Sequence, residues 1–192
     1  MKNAFLLVSL VLVAGLVCAP QVYGQKKQTG TKQTGTTQDS FLTKAMEMNQ
    51  AEINLSRMAE QKAEDPMVKD FAEMMIEDHT QAQEKLRSAA GGSDTEPGLT
   101  TEQQQMSDQL SQLSGAEFDK AYMDAMVRDH QQAIRAFQKV ENTGGGSTRQ
   151  KPGTDNTKSD ADIAREMLPT LQKHLTEAEQ INRNVGGSAT IK

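Results

Sequence analysis

Three histidines and one glutamate stand in apolar stripes where a helical protein normally places Leu or Ala. His79 lies in FAEMMIEDHTQAQEKL, His130 in YMDAMVRDHQQAIRAF and His174 in LPTLQKHLTEAEQI, and Glu52 takes the stripe position between Met48 and Leu55. One carboxylate and three imidazoles make a suitable donor set for a single borderline transition metal ion: Zn, Cu, Fe or Mn. Met75 and Met126 each precede a histidine by one helical turn and are secondary candidates. With Met48 and Met167 a turn or two away, their thioethers would move the preference toward copper. Asp78 and Asp129 are each adjacent in sequence to a histidine and point about 100° away from it around the helix. That direction suits a hydrogen bond to an imidazole N–H, or solvent exposure, better than ligation.

The segments Phe71–Leu86 and Tyr122–Phe137 are copies. Aligned without gaps they share Met75/Met126, Asp78/Asp129, His79/His130 and Ala82/Ala133. Most of that agreement is what a helix stripe requires, since Met and Ala fill helical cores. Only the histidines need a separate reason.

The elements that position these residues follow from helical periodicity. From Asp39 the stripe Phe41, Ala45, Met48, Glu52, Leu55, Ala59 marks a first helix. Asp65-Pro66 opens a second, because Asp is a good N-cap and Pro is tolerated in the first turn. Its stripe is Val68, Ala72, Met75, His79, Ala82, Leu86, and Gly91-Gly92 ends it. Thr100–Leu113 reads as a short polar helix. Ser114-Gly115-Ala116-Glu117 is a capping-box pattern for the third long helix, which presents Met123, Met126, His130, Ala133, Phe137 and Val140 and ends near Asn142. After a polar glycine-rich loop, a fourth runs from about Ser159 toward Gly186-Gly187 with stripe Ala164, Met167, Leu171, His174, Ala178, Ile181 and Val185. Pro169 predicts a kink or a restart at Leu168, and regular structure is not expected beyond Val185.

The fold class is therefore all-α: an antiparallel four-helix bundle of up-down-up-down order, with a short extra helix before the third long one. Glu52, His79, His130 and His174 each fall within about two residues of their helix midpoint, roughly 3 Å along an axis rising about 1.5 Å per residue. Midpoints of packed helices share a level, so the four side chains should meet at mid-height in the core.

The rest of the chain sets the context. Lys2, the apolar run Ala4–Val17 and Val22-Tyr23-Gly24 form a secretory signal pattern over residues 1–24. Acylation of Cys18 is disfavoured, because bulky Val17 precedes it. Cleavage after Gly24 leaves no cysteine, so an exported chain would rely on packing and not on disulfides. Residues 25–38, with a tandem KQTGT repeat, lack apolar anchors and read as a disordered linker; 39–186 form the bundle domain and 187–192 a disordered tail. A formal net charge of −5 argues against nucleic acid or anionic lipid as a partner, and the mature chain has no transmembrane segment. No nucleophile elbow, HExxH or phosphate loop is present, so no catalytic residue is assigned.

The segments FAEMMIEDHTQA, LSGAEFDKAYMDAMVRDHQQAI and LPTLQKHLTEA resemble the bacterial domain-of-unknown-function family DUF4142, whose members are labelled predicted outer membrane proteins and grouped with ferritin-like bundles. The resemblance covers roughly Asp39–Val185 and rests on His79, Phe118-Asp119, Tyr122, His130, Leu168-Pro169 and His174. It implies a ferritin-like fold and a location in the cell envelope, periplasmic or secreted. Ferritin analogy raises a di-iron oxidase, but Ile76 and Val127 stand where Glu-x-x-His would need glutamates. Two readings stay open. One is a metal-binding bundle at Glu52, His79, His130 and His174, for metal handling or stress tolerance. The other is a non-catalytic structural or interaction module with an envelope partner, whose Glu/His layer only fixes packing.

Overall fold

In the computed structural model residues 37–92, 97–144 and 158–188 are described, all within one unit, Thr34–Lys192. The signal pattern, most of the linker and residues 189–192 lie outside them. The described residues are all-α: α1 (Thr37–Lys62), α2 (Pro66–Ala89), α3 (Thr101–Ser111), α4 (Gly115–Asn142) and α5 (Asp160–Ser188), with no strand among them. α1 begins two residues before the expected Asp39. α5 runs three beyond Val185 and is assigned as one helix through Pro169.

Each long helix carries apolar residues of two clusters, one on either side of its polar intruder. One cluster gathers Leu55 and Ala59 from α1, Phe71 and Met75 from α2, Tyr122 and Met126 from α4, and Ala178 and Ile181 from α5. The other gathers Leu42 and Ala45, Leu86, Ala133 and Phe137, and Leu168 and Leu171 from the same four helices. Between them lie buried Asn49, Glu52, His79, Gln83, His130 and His174. Of the expected α1 stripe Ala45, Glu52, Leu55 and Ala59 are buried while Phe41 and Met48 are half-buried, and Leu42, Asn49, Ala51, Ile53 and Ser56 are buried besides.

The order of the clusters along each helix gives its direction, and it corrects the expected chain order. α1 and α5 pass from the second cluster to the first, whereas α2 and α4 pass from the first to the second. The path is therefore up-down-down-up. α4 starts beside the α1–α2 turn and not beside the end of α2: the buried Asp119 carboxylate accepts from the Glu64 amide at 3.1 Å and the Asp65 amide at 2.8 Å. The connection between α2 and α4 contains α3 and is long enough to recross the molecule. α3 lies against α1 and α4, with Gln103 Nε2 donating to the Glu47 carbonyl and Lys62 Nζ to the Ser111 carbonyl. α1 packs most extensively on α2, and α4 on α5.

The helix starts also differ from expectation in one place. Asp65 caps α2 by accepting from the Met67 amide, as its sequence position implies. Ser114, however, makes no side-chain cap bond. The next residue, Gly115, has φ 57°, so the chain enters α4 through a left-handed residue that turns the Ser114 hydroxyl away from the first amides. A Cβ at Gly115 would also stand 2.9 Å from Glu64 Oε2. The capping box is instead at α3, where Thr100 and Gln103 exchange side-chain and backbone bonds. With Ser114 idle, Asp119 is the group that ties α4 to the α1–α2 turn. Asp119→Ala strands two amides in a closed region and should destabilise the protein by about 2 kcal/mol, read as a lower urea midpoint at unchanged m-value. A loss within about 0.5 kcal/mol would mean that water satisfies those amides.

Candidate metal centre

The four residues singled out from sequence are all buried, with His130 at 0%, His174 at 1%, and Glu52 and His79 at 4% exposure. The histidine rings stand 5.2–5.7 Å apart by centroid. One ring nitrogen from each of His79, His130 and His174 lies within 4.8 Å of the others, a spacing from which three ligands can close on one ion.

Hydrogen bonds at the far side of each ring decide what its near side offers. His130 Nδ1 is 2.9 Å from the Met126 carbonyl, one turn back. A carbonyl only accepts, so the proton is on Nδ1 and Nε2 carries a lone pair. His174 Nε2 is 2.9 Å from Asp78 Oδ2 and donates to that carboxylate, leaving its lone pair on Nδ1. His79 Nδ1 is 2.7 Å from Asn49 Oδ1. The orientation of that amide is set by its Nδ2, which donates to the His79 carbonyl and to Gln83 Oε1, both at 2.8 Å. His79 therefore donates from Nδ1, and its Nε2 is buried with no hydrogen-bond partner.

Three lone pairs are left with nothing to accept from. His130 Nε2 and His174 Nδ1 face each other at 3.3 Å, acceptor to acceptor, and His79 Nε2 is orphaned. Exchanging a tautomer to make the His130–His174 contact a true hydrogen bond would turn an N–H away from the Met126 carbonyl or from Asp78. A proton between the rings is not favoured either. Burial and the neighbouring His174 push the His130 imidazole down to about 4. Burial and the other two histidines hold His79 well below its ordinary value, and burial lowers His174 despite the opposing pull of Asp78. Three buried imidazole nitrogens so placed could hold a divalent cation, and the His130–His174 pair is already at the separation this needs. Two nitrogen ligands of a tetrahedral ion with metal–nitrogen bonds of about 2.0–2.1 Å stand roughly 3.3–3.4 Å apart.

Glu52 reaches the same layer from behind the rings. Its Oε2 lies 3.2 Å from His79 Nδ1 and its Oε1 3.5 Å from His130 Nδ1. The second contact is electrostatic and too long for a hydrogen bond, so Oε1 is also without a partner. Burial, reinforced by Asp129, raises its carboxyl well above the usual range. Glu52 thus lies beside the Nδ1 atoms of His79 and His130, and among the described residues the group of mutually close donors consists of the three histidines. Asp78 meets His174 from another helix, whereas Asp129 pairs with Arg128 beside it. Met75 and Met126 are buried members of the first apolar cluster, with Met126 contributing its carbonyl.

Asn49, Gln83 and Ser56 were not marked by the sequence; Ser56 bonds Tyr122, a position of the family resemblance and a member of the first cluster, at 2.8 Å. Asn49 carried a signal, because it lies four residues after Ala45 and three before Glu52 on one helix face.

The model of a domain of unknown function, DUF4142, matches residues 24–181. The chain belongs to the DUF4142 family. The match contains all three histidines, Glu52, Asn49, Asp78 and Asp119, so the whole layer lies in the DUF4142 domain. No curated protein and no solved structure matches the chain. No described helix is long and apolar enough to cross a membrane.

Proposed function

We propose that this DUF4142 protein binds one transition metal ion through His79 Nε2, His130 Nε2 and His174 Nδ1, at the mid-height of a ferritin-like four-helix bundle to which α3 is the extra helix. The observation that carries the reading is the convergence of three buried imidazole lone pairs whose N–H groups are all engaged elsewhere. Asp78, the Met126 carbonyl and Asn49 hold the rings as such outer partners do in metal sites, by fixing the tautomer and raising ligand basicity. Glu52 belongs with these outer groups in this reading and is not a ligand. Three histidines with no inward carboxylate also disfavour a bridged di-iron centre. The ferritin-like assignment is supported by the single long crossover between α2 and α4. Export by the N-terminal signal pattern would place the protein in the cell envelope, where metal handling or stress tolerance fits such an ion site.

Metal analysis tests this directly. The protein, purified without a histidine tag and dialysed against Zn(II) or Cu(II), should retain close to one equivalent and unfold at a higher temperature by mass action. Asp78→Ala should weaken affinity by roughly ten- to a hundred-fold while leaving the stoichiometry at one. Less than a tenth of an equivalent of either metal, with no thermal shift, would leave the layer as a packing device held by Asn49, Gln83 and the imidazoles themselves.

A further inference from the structure

The three histidines supply three donors, and a tetrahedral ion has a fourth position. Beside the layer, at the seam of α2 and α5, is a cavity of about 80 Å³. His79 and His174 line it and His130 does not, so an ion held by all three sits between His130 and this space. The opposite seam, between α1 and α4, is the one against which α3 lies. A cavity needs roughly 10–15 Å³ by this measure to hold one water, so 80 Å³ admits several waters or a small anion.

We infer that the centre is an open one, whose fourth position faces the α2/α5 cavity and takes water or a small monodentate anion in exchange. This rests on the ion site proposed above and adds its ligand. Three neutral imidazoles leave a divalent ion's charge uncompensated at the point of contact, which favours an anion over a neutral molecule. The two carboxylates lining the cavity are already engaged, Asp78 by His174 and Glu166 by Lys85 at 3.2 Å and by Lys158. Lys85 stands on the cavity wall with 60% of its side chain exposed, a cation at the solvent side of the space. Open three-histidine sites are the kind that keep an exchangeable ligand, in contrast to closed structural sites.

The test uses the full chain loaded with Co(II), whose visible spectrum reports its coordination. Azide should change the Co(II) absorption saturably at millimolar concentration, and the bulkier benzoate should do so at least tenfold more weakly. Ala82 is half-buried on the cavity wall, one turn after His79, and supplies no donor to the proposed ion. Ala82→Leu fills the space and should keep one Co(II) per chain while weakening azide at least tenfold. If Co(II) binds and azide leaves the spectrum unchanged, the site is closed and this inference fails while the ion site stands. If benzoate binds as tightly as azide, or a folded Ala82→Leu protein binds azide as well as the parent, the ligand does not come through this cavity. No Co(II) uptake overturns both readings. Should Ala82→Leu not fold, the comparison of azide with benzoate on the unaltered chain decides alone.

Discussion

Replacing His130 with alanine should lower transition-metal affinity by at least a hundred-fold. His130 is fully buried, and the bond from its Nδ1 to the Met126 carbonyl of its own helix fixes the ring with Nε2 toward His174. Its Nε2, 3.3 Å from His174 Nδ1, makes the one donor pair already at the separation a tetrahedral ion needs. Loss of an outer partner costs 10- to 100-fold in metal sites, and loss of a ligand costs more. The metal-free variant should also be less stable, by about 2–4 kcal/mol, because an imidazole-sized cavity opens in a closed layer. The two effects are separable by titrating Zn(II) into the folded variant by calorimetry at a temperature well below its melting point. His130→Gln, which keeps most of the volume and a donor, should recover stability without recovering affinity. An alanine variant that loses stability yet takes up one equivalent at parental affinity would show that His130 only packs, and the proposed centre would fall.

What the sequence made legible, and what it hid, follows from the kind of information periodicity holds. A polar residue in an apolar stripe announces itself, so His79, His130, His174 and Glu52 stand out one helix at a time. Their common level needs only that the helices be of similar length and packed side by side, and it is therefore insensitive to direction. Direction itself leaves no trace in a stripe. The up-down-down-up path depends on a connection long enough to recross the molecule, and on Asp119 reaching the amides of Glu64 and Asp65, a contact between residues 55 and 54 apart in sequence. Nor does spacing say which nitrogen of a ring is free. Spacing puts Glu52 in the layer with the histidines but does not say which ring nitrogens it meets: those are the Nδ1 atoms of His79 and His130. The resemblance of Ser114-Gly115-Ala116-Glu117 to a capping box misled for a local reason, the positive φ of Gly115.

Acid should unfold the metal-free protein earlier than its carboxylates alone would require, and the sign follows from the buried groups. An unfolded histidine takes up its proton near pH 6.5, whereas His130 in the fold resists until about 4 and His79 and His174 are lowered as well. Across that window the unfolded chain binds more protons, so stability falls as pH falls. For His130 alone, a lowering from 6.5 to about 4 corresponds to on the order of 3 kcal/mol lost between pH 7 and pH 4. Glu52 acts in the opposite sense. Its carboxyl is raised in the fold, so its contribution is fully present below the unfolded value of 4.5 and is lost as pH rises toward its folded value. One carboxyl against three imidazoles leaves the balance with the histidines. Urea midpoints at pH 7, 6, 5 and 4.5 should therefore decline by the equivalent of several kcal/mol. Glu52→Gln, which removes the opposing term, should steepen the decline, and His130→Gln should flatten it. Stability that stays level or rises between pH 7 and 4.5 would mean that the imidazoles are not held neutral in the core. A bound ion occupies the lone pairs that protons would otherwise take, so saturating Zn(II) should move the acid transition to lower pH in the parent and leave it in place in His130→Ala.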